Sequence, residues 1–243
     1  MKAARRLLAL LLLSLLALQA GFALLIAAMN WIDPPSTSFQ RSEVWRMLVE
    51  QGRIEWRRQW VPYAQISPHL KRAVIASEDA GFSEHSGVEW DAIERALEKN
   101  QRAEARAEKM QARNPERAVA AKVVGGSTIT QQLAKNLFLS GERTRLRKGQ
   151  ELLLTLMLEA LLTKQRILEI YLNSVEWGEG IFGAQAAARH YFQKDAARLG
   201  AEEAARLAVM LPAPKRFEKR PYSAYVNART ATIVARMGAV ALP

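Results

Sequence analysis

The sequence predicts an all-α protein, or nearly so, hung from one helix that crosses a membrane. Three observations carry this. Leu7 to Ile32 runs 26 residues without a charge, against the roughly 20 apolar residues that span the hydrocarbon core of a bilayer. Glycine and proline are sparse, 13 and 9 among 243 residues, in a chain rich in aliphatic and small side chains. Apolar residues recur at helical spacing along most of its length, and no alternating pattern longer than four residues marks a strand.

Lys2, Arg5 and Arg6 precede the apolar run, and no acid occurs before Asp33. That asymmetry puts the N-terminus in the cytoplasm and everything after residue 33 on the far side. A cleavable signal has an apolar region of about 7–15 residues ending in small side chains. Ala17-Leu18-Gln19-Ala20 imitates such an ending, but the run continues through Leu24, Leu25 and Ile26, so an uncleaved tether is expected. Trp31 lies at interface depth, and Asp33-Pro34-Pro35 marks the exit. Residues 36–66 mix Arg41, Arg46, Arg53, Arg57 and Arg58 with Trp45, Trp56, Trp60 and Tyr63. This reads either as a connector on anionic headgroups or as a segment seating the domain in the membrane.

The net charge of +11 calls for an anionic partner, whether nucleic acid, lipid surface or phosphate. With no cysteine, disulfides and thiolate chemistry are excluded, and three histidines offer no histidine-cluster metal site.

Ser67-Pro68 starts a helix, serine as N-cap and proline in the first turn, which runs to about Glu78. A second is expected from Glu89 to about Ala112. Its charged end, 98–122, is broken by Asn114-Pro115 and reads as a solvated helix followed by a mobile loop. Gly125-Gly126-Ser127 turns into a helix over Thr128–Phe138. A long helix covers Thr144–Thr163, with Leu146, Leu153, Leu156, Met157, Ala160 and Leu161 expected on its buried side. Further helices fit Arg166–Leu172, Gly183–Phe192, Ala201–Met210 and Tyr225–Met237, the last with Ser223 as cap.

Two segments depart from an ordinary surface pattern. Glu78-Asp79 follows apolar Val74, Ile75 and Ala76, where burial can raise a carboxyl pKa, although either acid alone could equally be a cap or a salt-bridge partner. In the second segment Thr128, Gln132 and Lys135 form one polar stripe, and a helix start after glycines offers N–H groups to an anion. Arg147 and Glu151 are an i,i+4 pair, which by itself is a surface salt bridge.

Together these segments resemble the peptidoglycan glycosyltransferases. Glu78, Asp79, Phe82, His85 and Gly87 match that family's E-D-x-x-F-x-x-H-x-G. The run from Gly125 or Gly126 through Asn136 matches its G-x-S-T-I-T-Q-Q-L-x-K-N pattern, and Arg147, Lys148 and Glu151 match R-K-x-x-E. Lys164, Ile167, Leu168, Glu169, Tyr171, Leu172 and Asn173 match a fourth motif, and the order is the family's own. The charged insert before Gly125 is longer than usual for the family. The serine and lysine motifs of a transpeptidase domain do not occur, so the monofunctional form is expected.

The resemblance implies a lysozyme-like α-helical fold: 1–32 as cytoplasmic cap and anchor, 33–66 as juxtamembrane segment, and 67–243 as the glycosyltransferase domain. It implies that Glu78 acts as general base in polymerising lipid II with inversion and release of undecaprenyl pyrophosphate. Lys135, Arg147 and Lys148 would neutralise the pyrophosphate. Glu151 would orient those cations or hold a divalent ion; magnesium or manganese is compatible with the sequence but not required by it. Asp79, Phe82, His85, Ser127, Thr128, Gln131, Gln132 and Asn136 would bind substrate. Expected partners are lipid II, the growing glycan strand, membrane lipids and cell-wall synthesis proteins, at a bacterial inner membrane with the catalytic domain in the periplasm. A hydrolase of the same polymer also needs a glutamate in a helical cleft, but no cationic pyrophosphate site or anchor. A membrane-tethered nucleic-acid binder is disfavoured because no nucleic-acid module is recognisable.

Overall fold

The structure is a computed structural model that describes residues 2–113, 126–139, 141–142 and 144–243. Its first element, α1 (Lys2–Ala28), is long and apolar enough to cross a membrane. Leu7 to Leu18 point their side chains outward along it, as lipid-facing leucines must. The C-terminal part of α1 is different: Ile26 is fully buried in the core and Met29 nearly so. Arg166 donates from Nε to the Met29 carbonyl at 2.7 Å and pairs with Asp33 at 2.7 Å. The expectation of a simple tether is corrected here, because the last turns of the anchor pack as part of the domain.

The stretch after the anchor holds a helix that the sequence reading did not anticipate, α2 (Ser38–Gln51). Thr37 and Gln40 close a capping box at its start, and Gly52 ends it at φ +65°. Gln40 is fully buried and donates to the Ser174 carbonyl at 2.9 Å, which fastens α2 to the domain. Beyond it, β1 (Arg57–Arg58) begins the only sheet among the described residues.

Next come α3 (Pro68–Glu78), α4 (Trp90–Arg113), α5 (Ile129–Phe138), α6 (Arg145–Leu161) and α7 (Lys164–Ser174). Helix α4 carries exposed pairs such as Arg102–Glu98, in keeping with a solvated helix; the loop expected after it lies outside the described residues. Then β2 (Glu176–Gly178) and β3 (Ile181–Phe182) complete a three-stranded sheet in the order β1-β3-β2. β3 runs parallel to β1 and antiparallel to β2. Strands this short leave no legible alternation, which is why none was expected. The β2–β3 turn needs glycine at 180: its φ is +71°, and a Cβ there would lie 2.2 Å from the Glu55 carbonyl oxygen.

The chain closes with α8 (Ala184–Phe192), α9 (Ala201–Met210), the short α10 (Pro214–Phe217) and α11 (Ala224–Met237). Helices α3, α9 and α11 pack on one another to form one half of the core, and α5 packs on α2, α6 and α7 to form the other.

The expected face of α6 is wrong. Its buried residues are Glu151, Leu154, Thr155 and Leu158, whereas Leu146 is 89% exposed and Leu153, Leu156 and Leu161 are also exposed. Helix α1 packs along α6, where Gln19 and Gln150 exchange amide hydrogen bonds at 3.0 Å. Helical periodicity reports an apolar face without saying whether protein or lipid covers it.

Candidate active site

The first motif is wired into the start of α5. Asp79 lies just after α3, and its carboxylate accepts from His85 Nε2 at 2.8 Å and from the Ile129 backbone N–H at 2.9 Å. His85 Nδ1 accepts from the Gly87 N–H at 3.0 Å, so the neutral ring carries its proton on Nε2. Gly87 has φ +86°, and a Cβ there would come within 2.7 Å of Glu159. Its carbonyl accepts from Thr128 Oγ1 at 2.6 Å, and Thr128 forms a capping box with Gln131. The N–H groups expected to serve an anion are therefore committed: Asp79 takes that of Ile129, and Thr128 takes that of Gln131.

Several residues expected to meet substrate lie inside the protein. Phe82 is fully buried beneath Lys164, whose Nζ sits 4.5 Å from the ring centroid. Asp79 and Thr128 are buried with their polar atoms bonded to protein partners, Gln131 is buried with its Oε1 accepting from the Thr128 N–H, and His85 is nearly buried. The motif spacing did not distinguish side chains that face a cleft from those that hold its walls.

Glu78 ends α3 half-buried. Its Oε2 accepts from Gln132 Nε2 at 3.1 Å and its Oε1 from Ser77 Oγ at 3.3 Å. Burial pushes its carboxyl pKa above the ordinary value, opposed by the bonds from Gln132 and Ser77 and assisted by the Asp79 charge. The Gln132 Oε1 accepts in turn from Tyr171 OH at 2.8 Å. Tyr171, buried on α7, has its phenol pKa driven well up by burial and by both carboxylates, so it stays a donor. Tyr171 belonged to the fourth motif but was not singled out for the site; a tyrosine on an otherwise apolar helix face was the available signal.

Beside this chain opens a cavity of about 380 Å³, lined by Ser127, Gln131, Gln132, Lys135, Asn136, Arg147, Lys148 and Glu151. The structure thus brings the second and third motifs to one wall. Phe39, Ser42 and Glu43 of α2 line the same cavity and were missed, because α2 itself was missed. Its only sequence signal was Thr37-x-x-Gln40. Glu151 is buried; it accepts from Arg147 at 2.8 Å and from Lys148. The Nε of Arg147 is buried and has no hydrogen-bond partner among the described residues. A cation pair bridged by one carboxylate, with a spare buried donor, is suited to a multivalent oxyanion.

One group of possible metal ligands occurs among the described residues: Asp79, His85 and Glu89, with ligand atoms within 4.8 Å of one another. Both ring nitrogens of His85 and both oxygens of Asp79 already carry hydrogen bonds, which account for the cluster without an ion.

The transglycosylase family profile matches residues 46–238. The chain belongs to the transglycosylase family. The lysozyme-like, all-α fold expected from the sequence is that of the transglycosylase domain. The chain is 54% identical over 211 residues to a biosynthetic peptidoglycan transglycosylase of Bordetella pertussis, covering 87% of this chain and 82% of the relative. A protein with that description from Burkholderia thailandensis is 54% identical over 228 residues, covering 94% and 83%. Another from Cupriavidus pinatubonensis is 54% identical over 236 residues, covering 93% and 86%. The match begins at residue 46 and so takes in the C-terminal end of α2, within the 33–66 segment expected to precede the domain.

Proposed function

We propose that this chain is a peptidoglycan glycosyltransferase that polymerises lipid II into linear glycan strands and releases undecaprenyl pyrophosphate with inversion. The observation that carries the reading is the half-buried Glu78, held by Gln132, with the Arg147–Glu151–Lys148 cavity beside it. In the proposed step, a Glu78 oxygen takes the proton from the 4-hydroxyl of the acceptor sugar. The hydroxyl oxygen attacks the donor's anomeric carbon from the face opposite its pyrophosphate. The carbon–oxygen bond to pyrophosphate breaks, and that group leaves with the electron pair. A carboxyl pKa raised by burial strengthens Glu78 as a base. Lys135, Arg147 and Lys148 stabilise charge as it gathers on the leaving group. Ser127, Gln132 and Asn136 contact the substrate, while Asp79, Phe82, His85, Thr128 and Gln131 hold the walls.

Glu151 accepts from both Arg147 and Lys148, and its proposed role is to orient those cations. No step is assigned to a metal, and polymerisation persisting in chelator tests this.

The proposed setting is a bacterial inner membrane, with α1 as the single span, the N-terminus in the cytoplasm and the domain in the periplasm. The exposed leucines of α6 beside α1 support a domain that rests on the bilayer.

The test is incubation of the full-length protein with labelled lipid II in detergent. Long glycan with released pyrophosphate supports the reading; shortened glycan from preformed polymer would identify a hydrolase instead.

A further inference from the structure

A second cavity opens beside Ser77, the neighbour of Glu78. Ser77, which donates to Glu78 Oε1, lines a cavity of about 700 Å³ whose other walls come from α9, α10 and α11. The first cavity reaches Glu78 through Gln132 and Oε2. The proposed reaction needs two sugar-bearing ligands around one base, and only the first cavity has been assigned an occupant.

The charged residues of the second cavity are all cationic. Arg216, Lys219, Arg220 and Arg229 line it, no acid does, and none of the four is in an ion pair among the described residues. A cluster of unpaired cations is kept apart by solvation alone and gains from any carboxylate that enters. Between the charges Phe217 stacks on Tyr225 with ring centroids 5.8 Å apart and planes inclined by 6°. Such a platform offers aromatic faces to the C–H face of a saccharide or to a peptide.

Position decides which part of a substrate belongs here. Helix α11 packs on α3 and α9, whereas the anchor packs on α6. The cavity is therefore built on the half of the core remote from the membrane helix. A pyrophosphate joined to a lipid has to stay near the bilayer, while the peptide-bearing polymer leaves it. Peptidoglycan sugars carry short peptides ending in free carboxylates, which match this charge and this mixture of polar and aromatic walls.

We propose that the second cavity binds the acidic peptide branches of the glycan, with their carboxylates on Arg216, Lys219, Arg220 and Arg229. This rests on the reading of the chain as a peptidoglycan glycosyltransferase, and it adds a determinant of which polymer is held. The cations act on binding and lie outside the proton-transfer chain, so their loss changes KM more than kcat.

The experiment uses full-length protein in detergent with two soluble probes. One is the disaccharide-pentapeptide, the other its counterpart with every peptide carboxyl amidated. Wild-type protein is expected to bind the acidic probe about tenfold more tightly, a difference that several partly exposed charge pairs supply together. A variant carrying Arg216→Gln, Lys219→Gln, Arg220→Gln and Arg229→Gln is expected to bind both alike. A milder variant, Arg216→Gln with Arg220→Gln, changes only exposed side chains and guards against misfolding. With lipid II as substrate, the variants raise KM about tenfold for the acidic peptide and leave kcat within about twofold. Equal loss of both probes, or unchanged preference for the acidic one, overturns the proposal. So does binding of anionic vesicles through these cations without binding of the peptide. If the wild type polymerises lipid II and the variants behave like it, only this inference fails; if the wild type makes no polymer, the underlying reading fails with it.

Discussion

Tyr171 fixes the orientation of Gln132. By donating to Oε1 at 2.8 Å it leaves the Gln132 amide nitrogen turned toward Glu78, 3.1 Å from Oε2. An amide has two similar ends, and here a buried phenol on another helix decides which of them meets the base. Tyr171→Phe removes that choice and leaves a buried acceptor unpaired. The expected outcome is a stability loss of about 1–3 kcal/mol and a kcat lowered several-fold with little change in KM. Thermal melts and steady-state kinetics read the two effects separately.

Glu78→Gln keeps shape and hydrogen bonding but cannot take a proton. Turnover should fall by roughly 10²–10⁴-fold, with an unchanged circular dichroism spectrum and melting temperature no lower than wild type. Because burial raises the Glu78 pKa, the acid limb of the wild-type pH–rate profile should lie above the ordinary carboxylate range. Activity then falls as pH drops through the raised value. A variant within threefold of wild type would remove Glu78 from the mechanism.

Lys135 lines the anion cavity from α5. Lys135→Ala should lower turnover and donor affinity together, since a charge-assisted contact to phosphate is lost. Lys135→Arg restores charge with a different geometry and should rescue only part of the loss. Competition by inorganic pyrophosphate offers a reading independent of turnover: it should weaken in the alanine variant.

Glu176 predicts a pH dependence of stability away from the base. It is buried, with Oε1 unbonded and Lys215 Nζ 3.7 Å away. Burial pushes its pKa from 4.5 to about 8, with Glu43 and Glu218 adding to the shift and Lys215 and Arg46 opposing it. The folded protein therefore holds this proton more tightly than the unfolded chain. Its contribution is fully present below pH 4.5 and is lost as pH rises to about 8. Glu176→Gln should flatten the melting temperature against pH across that window and stabilise the protein above it. An unchanged slope would show that Glu176 is charged when folded.

The anchor gives a graded prediction. Deleting residues 2–18 spares Gln19, Ile26 and Met29 and should leave a folded enzyme, weakened chiefly in liposomes at low substrate. Deleting 1–32 also removes Ile26 from the core and strips Arg166 of its Met29 and Ile32 carbonyl acceptors. That truncation should melt several degrees lower and lose activity in detergent as well as in liposomes. Equal behaviour of the two truncations would return α1 to the status of a tether.

Local signals were legible where they settled local structure. Ser67 caps α3, Thr144 caps α6 and Ser223 caps α11, each by accepting a backbone N–H near the helix start as the residue types imply. Distance in sequence hid the rest. Asp79 closes the start of α5 from 50 residues away, so no local pattern could mark it as a cap. Tyr171 reaches Gln132 across 39 residues. The α6 leucines were legible as apolar but not as outward-facing, because lipid and protein interior select the same side chains.

The firm junction between α1 and the domain has a consequence for how the molecule moves. With Ile26 seated in the core and Arg166 gripping the chain at Met29 and Asp33, the body cannot swing on its stalk. Body and helix then tilt together as one unit, while spin about the helix axis stays open. For a body that rests on a bilayer, that coupling narrows the range of heights and tilts at which the mouth of the site meets a membrane-held ligand.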